Sequence, residues 1–448
     1  MKSTRIKDIR ARQVLSNRGL PAVEALVTTE GGVTASAVCT AGVTIGSHEI
    51  AFAYDGGDKY GGKGVSGAVR NVNERIAPAL RGMDASQQFL CDHAMLTLGG
   101  PDAKARLGGN AVAAVSAAIL KAGAESLGIP LYRHIGGAAA VTLPAASYGC
   151  AGGSNRYIRE KSAGTKPTYS FISYDFPTFS EAVYALNEVV IAWQERMARA
   201  YGLHAGNSNR SYVTAGFVSI PADIIRDDFE LWSMIAETIA KCGYEGKIGL
   251  QVDLAADSYY DRATGLYSGL FDKKPRGRDE VIQVVKTMAD NYPFVIIEDP
   301  LEEDDYEGHA IITREVDIQI VGDDLFTTDT ARVTEGVKQK AANCVLLKVN
   351  QIGSISESLE MIQFAYQNGY GVMPCSSRGE GMSIVDYSVG INAGTIRESC
   401  LGSAGSRLLA IEAELGANAV FAGKRGLKGR RFQTTEQDTP KATEGVPA

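Results

Sequence analysis

Five segments decide the fold: KIGLQVD (247–253), FVIIED (294–299), IQIVGDD (318–324), NCVLLK (343–348) and GYGVMPCSSR (369–378). Each is an apolar run that ends in polar or charged residues, and a segment with helical periodicity follows it. The last three intervals are 323 − 298 = 25, 348 − 323 = 25 and 376 − 348 = 28 residues, enough for one strand, one helix and two short loops. Continuous apolar strands indicate burial on both faces. The repeat therefore predicts an α/β fold built around a (β/α) barrel.

Charged residues stand where these strands end, at the edge where barrel enzymes place their chemistry. Asp253, Glu298 and Asp323 offer carboxylate oxygens from three of the steps, and Lys348 ends the next strand. Oxygen ligands suit Mg²⁺, which needs neither His nor Cys. The alternative is ordinary structure, because acids after strands often cap helices and lysines often form ion pairs. Three acids followed by a lysine favour a metal site with an amine facing it.

Length and local patterning predict two domains and a tail. The 448 residues divide into an N-terminal α+β domain at 1–138, a barrel at 139–430 and a disordered segment at 431–448. Alternating residues at 9–16 and 22–30 predict a β-hairpin. Helical periodicity predicts helices at 65–80, 86–98, 110–127, 178–201 and 403–415.

Composition excludes several classes of partner. The formal charge of −7 argues against nucleic acid. The opening MKSTRIKDIRARQ has no apolar core of a signal peptide, and the Ala-rich stretch 110–124 is too short to cross a bilayer. Seven cysteines without CxxC spacing are typical of reduced thiols and do not predict structural zinc. We therefore expect a cytoplasmic protein without a membrane partner.

Longer strings resemble a known family over residues 6 to 423. They are RQVLSNRGLPAVEALV (12–27), GGDKYGGKGV (56–65), NVNERIAP (71–78), LGGNAVAAVSAAILKAGAESLGIPLYRHIGG (107–137), VIIEDPLEEDD (295–305), QIVGDDL (319–325), LLKVNQIGSISES (346–358) and AELGANAVFAG (413–423). The chain resembles enolase, the phosphopyruvate hydratase family of glycolysis. The resemblance implies a modified (β/α)8 barrel with an N-terminal α+β capping domain, Mg²⁺ dependence, and a homodimer or higher homo-oligomer. It also implies Asp253, Glu298 and Asp323 as metal ligands and Lys348 as catalytic base.

The sequence departs from that family at residues expected to contact substrate. VTAGF (213–217) has Thr214 at the position expected for a catalytic Glu, and YSFI (169–172) has Ser170 at that of a second Glu. The other candidates for substrate contact are Asn155 in place of a loop histidine, Ser376 and Arg378 in SSRGE, Arg397 in GTIR, and Thr40 at the end of a mobile loop that supplies a second metal ligand in the family. The metal half of the site is kept, whereas the acid half is replaced.

An enlarged loop between residues 149 and 168 adds basic residues. Its cations are Arg156, Arg159, Lys161 and Lys166, which are predicted either to cover an anionic substrate or simply to be solvated. Asp175 is the only acid near the replaced strand, and it is either a displaced proton donor or a residue of a strand-end turn.

These observations leave three functional hypotheses open. The first is a Mg²⁺-dependent lyase that forms a metal-stabilised enediolate from a small phosphorylated or phosphonylated carboxylate, with an altered substrate or leaving group. Hydroxyl groups at 170 and 214 are poor acids, so we expect weak conversion of 2-phosphoglycerate to phosphoenolpyruvate. The second is a phosphonate-pathway transferase acting on a three-carbon phosphoacid. The third is a non-catalytic binding protein, which the clustered charges disfavour because burying charge is costly.

Overall fold

The N-terminal part packs helices on an antiparallel sheet. The computed structural model describes residues 2–16, 19–42, 45–98, 100–153, 156–158, 166–204, 217–376 and 379–433. The elements of this part are β1 Ile6–Leu15, β2 Pro21–Thr29, β3 Thr34–Cys39, α1 Ser66–Asn71, α2 Ala77–Leu80, α3 Gln88–Thr97, α4 Ala103–Leu107, α5 Gly109–Leu127 and α6 Leu131–Gly136, with a π-helical turn at Val72–Ile76 joining α1 to α2.

Local sequence explains these elements. The predicted hairpin is confirmed, with β1 antiparallel to β2 and β2 antiparallel to β3. Val23, Ala25 and Val27 alternate on the buried face of β2 and pack in one apolar cluster with the helices. Helix α5 ends at Gly128, whose φ of 72° is a left-handed conformation that glycine adopts without strain.

The C-terminal part is a barrel. Its strands are β4 Thr142–Leu143, β5 Ala145–Gly152, β6 Thr168–Ser173, β7 Val218–Ser219, β8 Ile248–Asp253, β9 Tyr260–Asp261, β10 Leu266–Tyr267, β11 Phe294–Glu298, β12 Gln319–Gly322, β13 Cys344–Leu347, β14 Gly371–Pro374, β15 Thr395–Ile396 and β16 Val420–Phe421. Its helices are α7 Phe179–Tyr201, α8 Asp228–Lys241, α9 Arg278–Asn291, α10 Tyr306–Glu315, α11 Thr330–Gln339, α12 Val349–Ile352, α13 Ile355–Gln367, α14 Ser383–Gly390, α15 Gly402–Leu415 and α16 Gly423–Gly426. The predicted helices at 178–201 and 403–415 are confirmed as α7 and α15.

The barrel sheet runs in the order β14-β13-β12-β11-β8-β6-β5-β15. Strands β8 and β11 to β14 are parallel, as the apolar runs predict. Strand β6 is antiparallel to both of its neighbours, β5 and β8. The ring closes through a parallel bridge between Cys375 and Arg397. Because β6 runs in the opposite direction, the segment that precedes it lies at the same edge as the ends of β8 and β11.

Side chains of the N-terminal part dock on the barrel beside β13. Lys104 forms a 2.7 Å ion pair with Glu357 at the start of α13. Asp92, which is fully buried, accepts hydrogen bonds from the Ser356 hydroxyl at 2.6 Å and its backbone N–H at 3.0 Å. These contacts hold the N-terminal part over the carboxyl edge of the barrel.

No single helix in the described ranges has both the length and the apolarity needed to cross a bilayer. One pair, Gly109–Leu127 with Leu131–Ala139, meets the test together by length and composition only, and it is bent by 96°.

Candidate active site

Three buried carboxylates converge at the carboxyl edge of the barrel. Asp253 ends β8, Glu298 ends β11, and Asp323 follows β12. Parallel pairing places Glu298 opposite Asp253, and one oxygen from each of the three side chains lies within 4.8 Å of the others. The three side chains are at most 3% exposed. The convergence predicted from the strand ends is therefore confirmed.

The alternative that these acids cap helices does not hold for this set. Helix caps are provided by other residues: Asp227 accepts from the Glu230 N–H at 2.9 Å, Asp305 from Gly308 at 2.8 Å and Asp329 from Ala331 at 2.7 Å. The acids therefore fall into two groups: those at strand ends face the cluster, and those just before helices cap the helix N-termini.

Three buried cations lie against the carboxylates. Lys348 forms an ion pair with Asp323. Arg397, just after β15, lies 2.6 Å from Asp253 and 2.7 Å from Glu298. Lys166 forms an ion pair with Asp253. Among the described residues, the cluster thus brings three positive side chains to three negative ones.

Burial controls the protonation of this cluster. Burial, opposed by Arg397 and reinforced by Asp323, raises the pKa of Glu298 well above its usual range. Burial and the neighbouring Arg397 lower the pKa of Lys166 to about 8, although Glu298 acts in the opposite direction. The charged forms of both groups are therefore costly unless a partner compensates them.

The donor set fits a hard divalent cation. All three groups supply carboxylate oxygens, which Mg²⁺ prefers. The Oε2 atom of Glu298 is buried without a hydrogen-bond donor among the described residues, so it is an acceptor in need of a cation.

A second set of side chains orients the ligands. Gln351 donates from Nε2 to Asp323 Oδ1 at 2.8 Å and accepts from Thr328 Oγ1 at 2.9 Å. The Thr328 hydroxyl in turn accepts from the backbone N–H of Lys348 at 3.0 Å. This chain of hydrogen bonds joins the metal-facing carboxylate to the lysine backbone, as outer-shell groups do in metal sites.

Two further acids adjoin Asp323. Asp299 accepts from the backbone N–H groups of Asp323 at 2.9 Å and Asp324 at 2.8 Å. Burial and the charge of Asp323 raise the pKa of Asp299 to about 7 and that of Asp324 well above its usual value. Asp299 thereby fixes the turn that presents Asp323.

The N-terminal part contributes residues to the same edge. His48 lies 2.9 Å from Asp304, and Ser47 donates to Glu303. Thr40, one of the candidate residues, is 2% exposed, and its hydroxyl has no hydrogen-bond partner in the described ranges. A Cβ atom on Gly379 would lie 3.3 Å from Thr40 Cγ2, so the end of β3 packs closely against the segment after β14.

Residues 156 and 157 near one end of the enlarged loop belong to a buried cluster, here termed the latch, made of Arg156, Tyr157, Tyr169 and Asp228. Arg156 donates to both oxygens of Asp228, at 3.0 and 2.7 Å, and each tyrosine hydroxyl donates to one of them at 2.6 Å. Asp228 is the first residue of α8, where the helix dipole favours a negative charge. The latch ties one end of the loop to the barrel wall.

Lys166 stands at the other end of that loop. Thr168, two residues later, pairs with Asp253 across the antiparallel strands, which places Lys166 directly above the carboxylates. Its backbone carbonyl accepts a hydrogen bond from the Tyr259 hydroxyl at 2.8 Å. The loop cations therefore have different positions: Arg156 is held in the latch, whereas Lys166 enters the site.

The interpretation of Asp175 as a displaced proton donor is wrong. Ser173 at the end of β6 pairs with Ile248, the first residue of β8, so Asp175 lies at the opposite end of the barrel from Asp253. Five residues of strand separate the two ends, or roughly 17 Å. The backbone N–H of Asp175 donates to the Lys247 carbonyl at 3.3 Å, which is the contact of a strand-end turn.

The remaining candidates fall into two groups. Ser170 is buried on β6 opposite Gln251, and Ser376 is half-buried next to the bridge that closes the barrel. Arg397, expected to contact a substrate carboxylate, instead pairs with two of the three clustered acids. The other predicted positions lie outside the described residues: Asn155, Arg159, Lys161, Thr214, Arg378 and the segment 434–448.

Sequence reasoning missed Asp228, Gln351 and Gln251. Gln351 lies within LLKVNQ, so its place beside Lys348 was available as a signal. Asp228 follows the cap residue Asp227, and a doubled acid at a helix start leaves one side chain free for a second role. A glutamine within the apolar run KIGLQVD is a polar side chain in a strand buried on both faces, which marks Gln251.

The fold and site together define a (β/α)-barrel protein with carboxylates arranged for a divalent cation. The family described as "Enolase, C-terminal TIM barrel domain" matches residues 169–429, and "Enolase, N-terminal domain" matches residues 6–135. The chain is similar to the enolase of Methanopyrus kandleri, with 39% identity over 93% of this chain and 97% of the relative. It is 38% identical to the enolase of Methanocaldococcus jannaschii and 37% to that of Corynebacterium kroppenstedtii, each over 94% of this chain and 97% of the relative.

The chain therefore belongs to the enolase family. It is an enolase-family lyase (a hydro-lyase) with a phosphopyruvate hydratase-like function. Members of the family use Mg²⁺ and act on small phosphorylated carboxylates.

Proposed function

We propose that this protein is a Mg²⁺-dependent lyase that removes the α-proton of a small phosphorylated or phosphonylated carboxylate and acts on an altered substrate or leaving group. The observation that carries the proposal is the convergence of Asp253, Glu298 and Asp323 with Lys348 beside them. Burying such charges costs free energy, and a protein with a purely structural role would have no reason to retain them.

Asp253, Glu298 and Asp323 would hold the ion. When bound, Mg²⁺ supplies positive charge near the carboxylate on which negative charge develops during proton removal. Lys348 is the proposed base, and it takes the α-proton on Nζ in its neutral form. Gln351 and Thr328 keep the positions of Asp323 and of the Lys348 backbone fixed during that transfer.

The second half of a dehydration needs an acid to protonate the leaving hydroxide. Ser170 is buried on β6 where the family places a glutamate, and a hydroxyl is a poor acid. Loss of a positioned general acid costs on the order of 10²–10⁴-fold in rate. We therefore propose that 2-phosphoglycerate is turned over weakly.

Solvent exchange tests the base. In D₂O with Mg²⁺, the wild-type protein is expected to exchange the α-proton of 2-phosphoglycerate or a phosphonate analogue, and Lys348→Met is expected to lose at least about 10²-fold of that rate. Lys273→Met is the matched control, because Lys273 is 68% exposed and forms a surface ion pair with Asp223 away from the clustered carboxylates. Equal exchange by wild type and Lys348→Met would refute the proposal.

A side-by-side assay tests the altered chemistry. Phosphoenolpyruvate formation, followed by ultraviolet absorbance, is expected to be at least about 10²-fold slower than for the M. jannaschii relative under the same conditions. Equal rates would show that the missing acid is supplied elsewhere and that the substrate is the ordinary one.

The transferase alternative is favoured by the same replacement, because a group transfer to a phosphoacid needs no acid that expels hydroxide. Incubation with phosphoenolpyruvate and phosphonoformate, followed by ³¹P NMR, separates the two. A new phosphoester that contains the carbon atoms of both reactants, formed with release of one equivalent of inorganic phosphate from phosphoenolpyruvate, supports the transferase, whereas α-proton exchange alone supports the lyase.

We also propose a cytoplasmic homodimer. The cysteines Cys39, Cys91, Cys150, Cys242, Cys344, Cys375 and Cys400 are all free thiols, which suits a reducing compartment. Analytical ultracentrifugation tests the assembly, and a single species near the 47.6 kDa chain mass at micromolar concentration would refute the dimer.

A further inference from the structure

Among the described cations of the cluster, Lys348 and Arg397 directly follow barrel strands. Lys166 differs, because it lies at the end of the enlarged loop, before β6. It is 7% exposed and pairs with Asp253, a carboxylate that Arg397 already contacts at 2.6 Å. Arg397 also pairs with Glu298, so its single charge is shared between two acids and Lys166 supplies the second positive charge. A divalent cation held by Asp253 and Glu298 would take over that compensation and make the ammonium group of Lys166 available for another anion.

Charge balance points the same way. Lys166, Lys348 and Arg397 offset Asp253, Glu298 and Asp323 in the described cluster. When Lys348 is the neutral base, a divalent cation added to this set leaves one positive charge in excess; Asp299 and Asp324, which adjoin Asp323, are not part of this count. Uncompensated buried charge is unfavourable, so the excess favours an anionic ligand beside Lys166.

A polar side chain without partners lies below the same carboxylate. Gln251 is 1% exposed, and neither its amide nitrogen nor its amide oxygen has a hydrogen-bond partner in the part of the chain that the structure describes. It shares a face of β8 with Asp253, since side chains two residues apart in a strand point the same way. It also pairs across the strands with Ser170, where a family glutamate is replaced. This wall therefore offers unused hydrogen-bonding capacity two residues below Asp253, the acid that Lys166 contacts.

We propose that Lys166 is a substrate-binding residue, brought into the site by the enlarged loop, which leaves Asp253 when the metal binds and then pairs with an anionic oxygen of the substrate. The inference rests on the proposed function in taking a multiply anionic acid as the ligand. The latch holds Arg156 and not Lys166, so the Lys166 side chain can change partner without breaking the latch. The Tyr259 hydroxyl holds the Lys166 carbonyl and leaves its ammonium group free to move.

Calorimetry on Lys166→Met tests this proposal with two readouts that need no turnover. Without an organic ligand, Mg²⁺ is expected to bind about 5- to 10-fold more tightly than to wild type, because a competing cation is gone. With saturating Mg²⁺, phosphoenolpyruvate or phosphonoacetate is expected to bind about tenfold more weakly, because a charge-assisted hydrogen bond is lost. Opposite changes in the two affinities are the signature of a lysine that exchanges one anion for another.

Two variants and a folding check complete the design. Lys166→Arg is expected to restore most of the anion affinity, and Lys273→Met is expected to change neither value. Lys166→Met is expected to keep the wild-type unfolding temperature within a few degrees, since Arg397 still pairs with Asp253.

Three results overturn the inference. They are unchanged Mg²⁺ affinity in Lys166→Met, tighter Mg²⁺ binding with unchanged anion affinity, and failure of wild type with Mg²⁺ to bind either anion. Failure of the proposed function is a separate result, since it is read from proton exchange in Lys348→Met and not from binding by Lys166→Met.

Discussion

The two sides of the barrel mouth differ in how their side chains reach it. On one side, β8, β11, β12 and β13 are parallel, and each delivers at least one charged residue at or just after its end. On the other side, β5 and β6 are antiparallel, and the connecting loop delivers Lys166 from the residues before β6. The first side holds the charged residues that the family resemblance implies as metal ligands and base, and the second is the side on which that resemblance implies replaced residues.

This difference shows how chemistry and substrate choice are separated in the fold. A strand end is fixed by hydrogen bonds and buried packing on both faces, so the positions of Asp253 and Glu298 depend on the whole sheet. The loop depends on a few local partners, chiefly Asp228, and its sequence can change without disturbing the barrel. We call the side formed by β5, β6 and their connecting loop the substrate-facing wall, and the side formed by the ends of β8, β11, β12 and β13 the metal-facing wall, after their proposed roles. The sequence of the substrate-facing wall can therefore diverge while that of the metal-facing wall stays constant.

Removal of the latch acid is expected to have the largest effect on stability. Asp228→Ala leaves Arg156 buried without its partner, and breaking a buried ion pair in this way costs about 3–5 kcal/mol. The unfolding temperature of the variant, followed by circular dichroism, measures the loss.

The matched control is Glu195→Ala, which removes an exposed acid from its pair with Arg199. A surface pair of this kind contributes about 0–1 kcal/mol. If both variants unfold at the same temperature, the latch does not hold the loop and the contrast between the two walls fails.

A change on the metal-facing wall is expected to affect binding more than folding. Glu298→Gln keeps the shape of the side chain but removes a carboxylate that faces the proposed ion. Mg²⁺ affinity is expected to fall by at least about 100-fold, because removal of an outer-shell partner alone costs up to about that much. Isothermal calorimetry measures it, with Glu307→Gln on the exposed face of α10 as control. Unchanged affinity would place the ion elsewhere.

How far the sequence predicted the molecule depends on the same division. Apolar runs ending at Asp253, Glu298 and Asp323 predicted both the barrel and the carboxylate cluster, because strand ends of parallel strands meet at one edge. Of the two alternatives for Asp175, the strand-end turn agrees with the structure and the displaced proton donor does not, because β6 runs antiparallel to β5 and β8. Nothing local in YSFISYDF (169–176) reveals that β6 is antiparallel, since direction is set by pairing with β5 and β8.

The loop was beyond local reasoning for a related reason. Arg156 and Asp228 are 72 residues apart, and their contact depends on α8 packing beside the β5–β6 hairpin. Charge alone did not distinguish Arg156 from Lys166, although one is locked in the wall and the other faces the carboxylates.

An outer-shell change tests how tightly the metal-facing wall is held. Gln351→Leu removes the 2.8 Å hydrogen bond to Asp323 and the 2.9 Å hydrogen bond from Thr328. Mg²⁺ affinity is expected to fall about tenfold, at the lower end of outer-shell effects. Gln339→Leu, on the exposed end of α11, is the control measured by the same titration. If Gln351→Leu lost as much Mg²⁺ affinity as Glu298→Gln, the proposal that Glu298 binds the ion directly and Gln351 only positions Asp323 would be contradicted.

A smaller effect is expected behind the same wall, at a titratable group that faces no substrate. His309 on α10 is fully buried, and burial lowers its pKa to about 4. The unfolded chain takes up a proton near pH 6.5, whereas the folded chain does so only near pH 4. Stability from the neutral ring is therefore complete above pH 6.5 and is lost as the pH falls towards 4.

His309→Asn keeps a donor for the Asp305 carbonyl, which lies 2.8 Å from the ring nitrogen, but removes the titration. Between pH 7.5 and pH 5.5, wild type is expected to lose about 1 kcal/mol more stability than the variant, as measured by urea unfolding. An equal loss in both proteins would assign the acid sensitivity to other groups. The buried acids of the metal-facing wall are not among them, because their pKa values are raised in the folded protein and a lower pH therefore favours the folded state at those groups. The loss would then come from another group whose pKa is lowered in the fold, and His134 on α6 is one such group, since burial lowers its pKa.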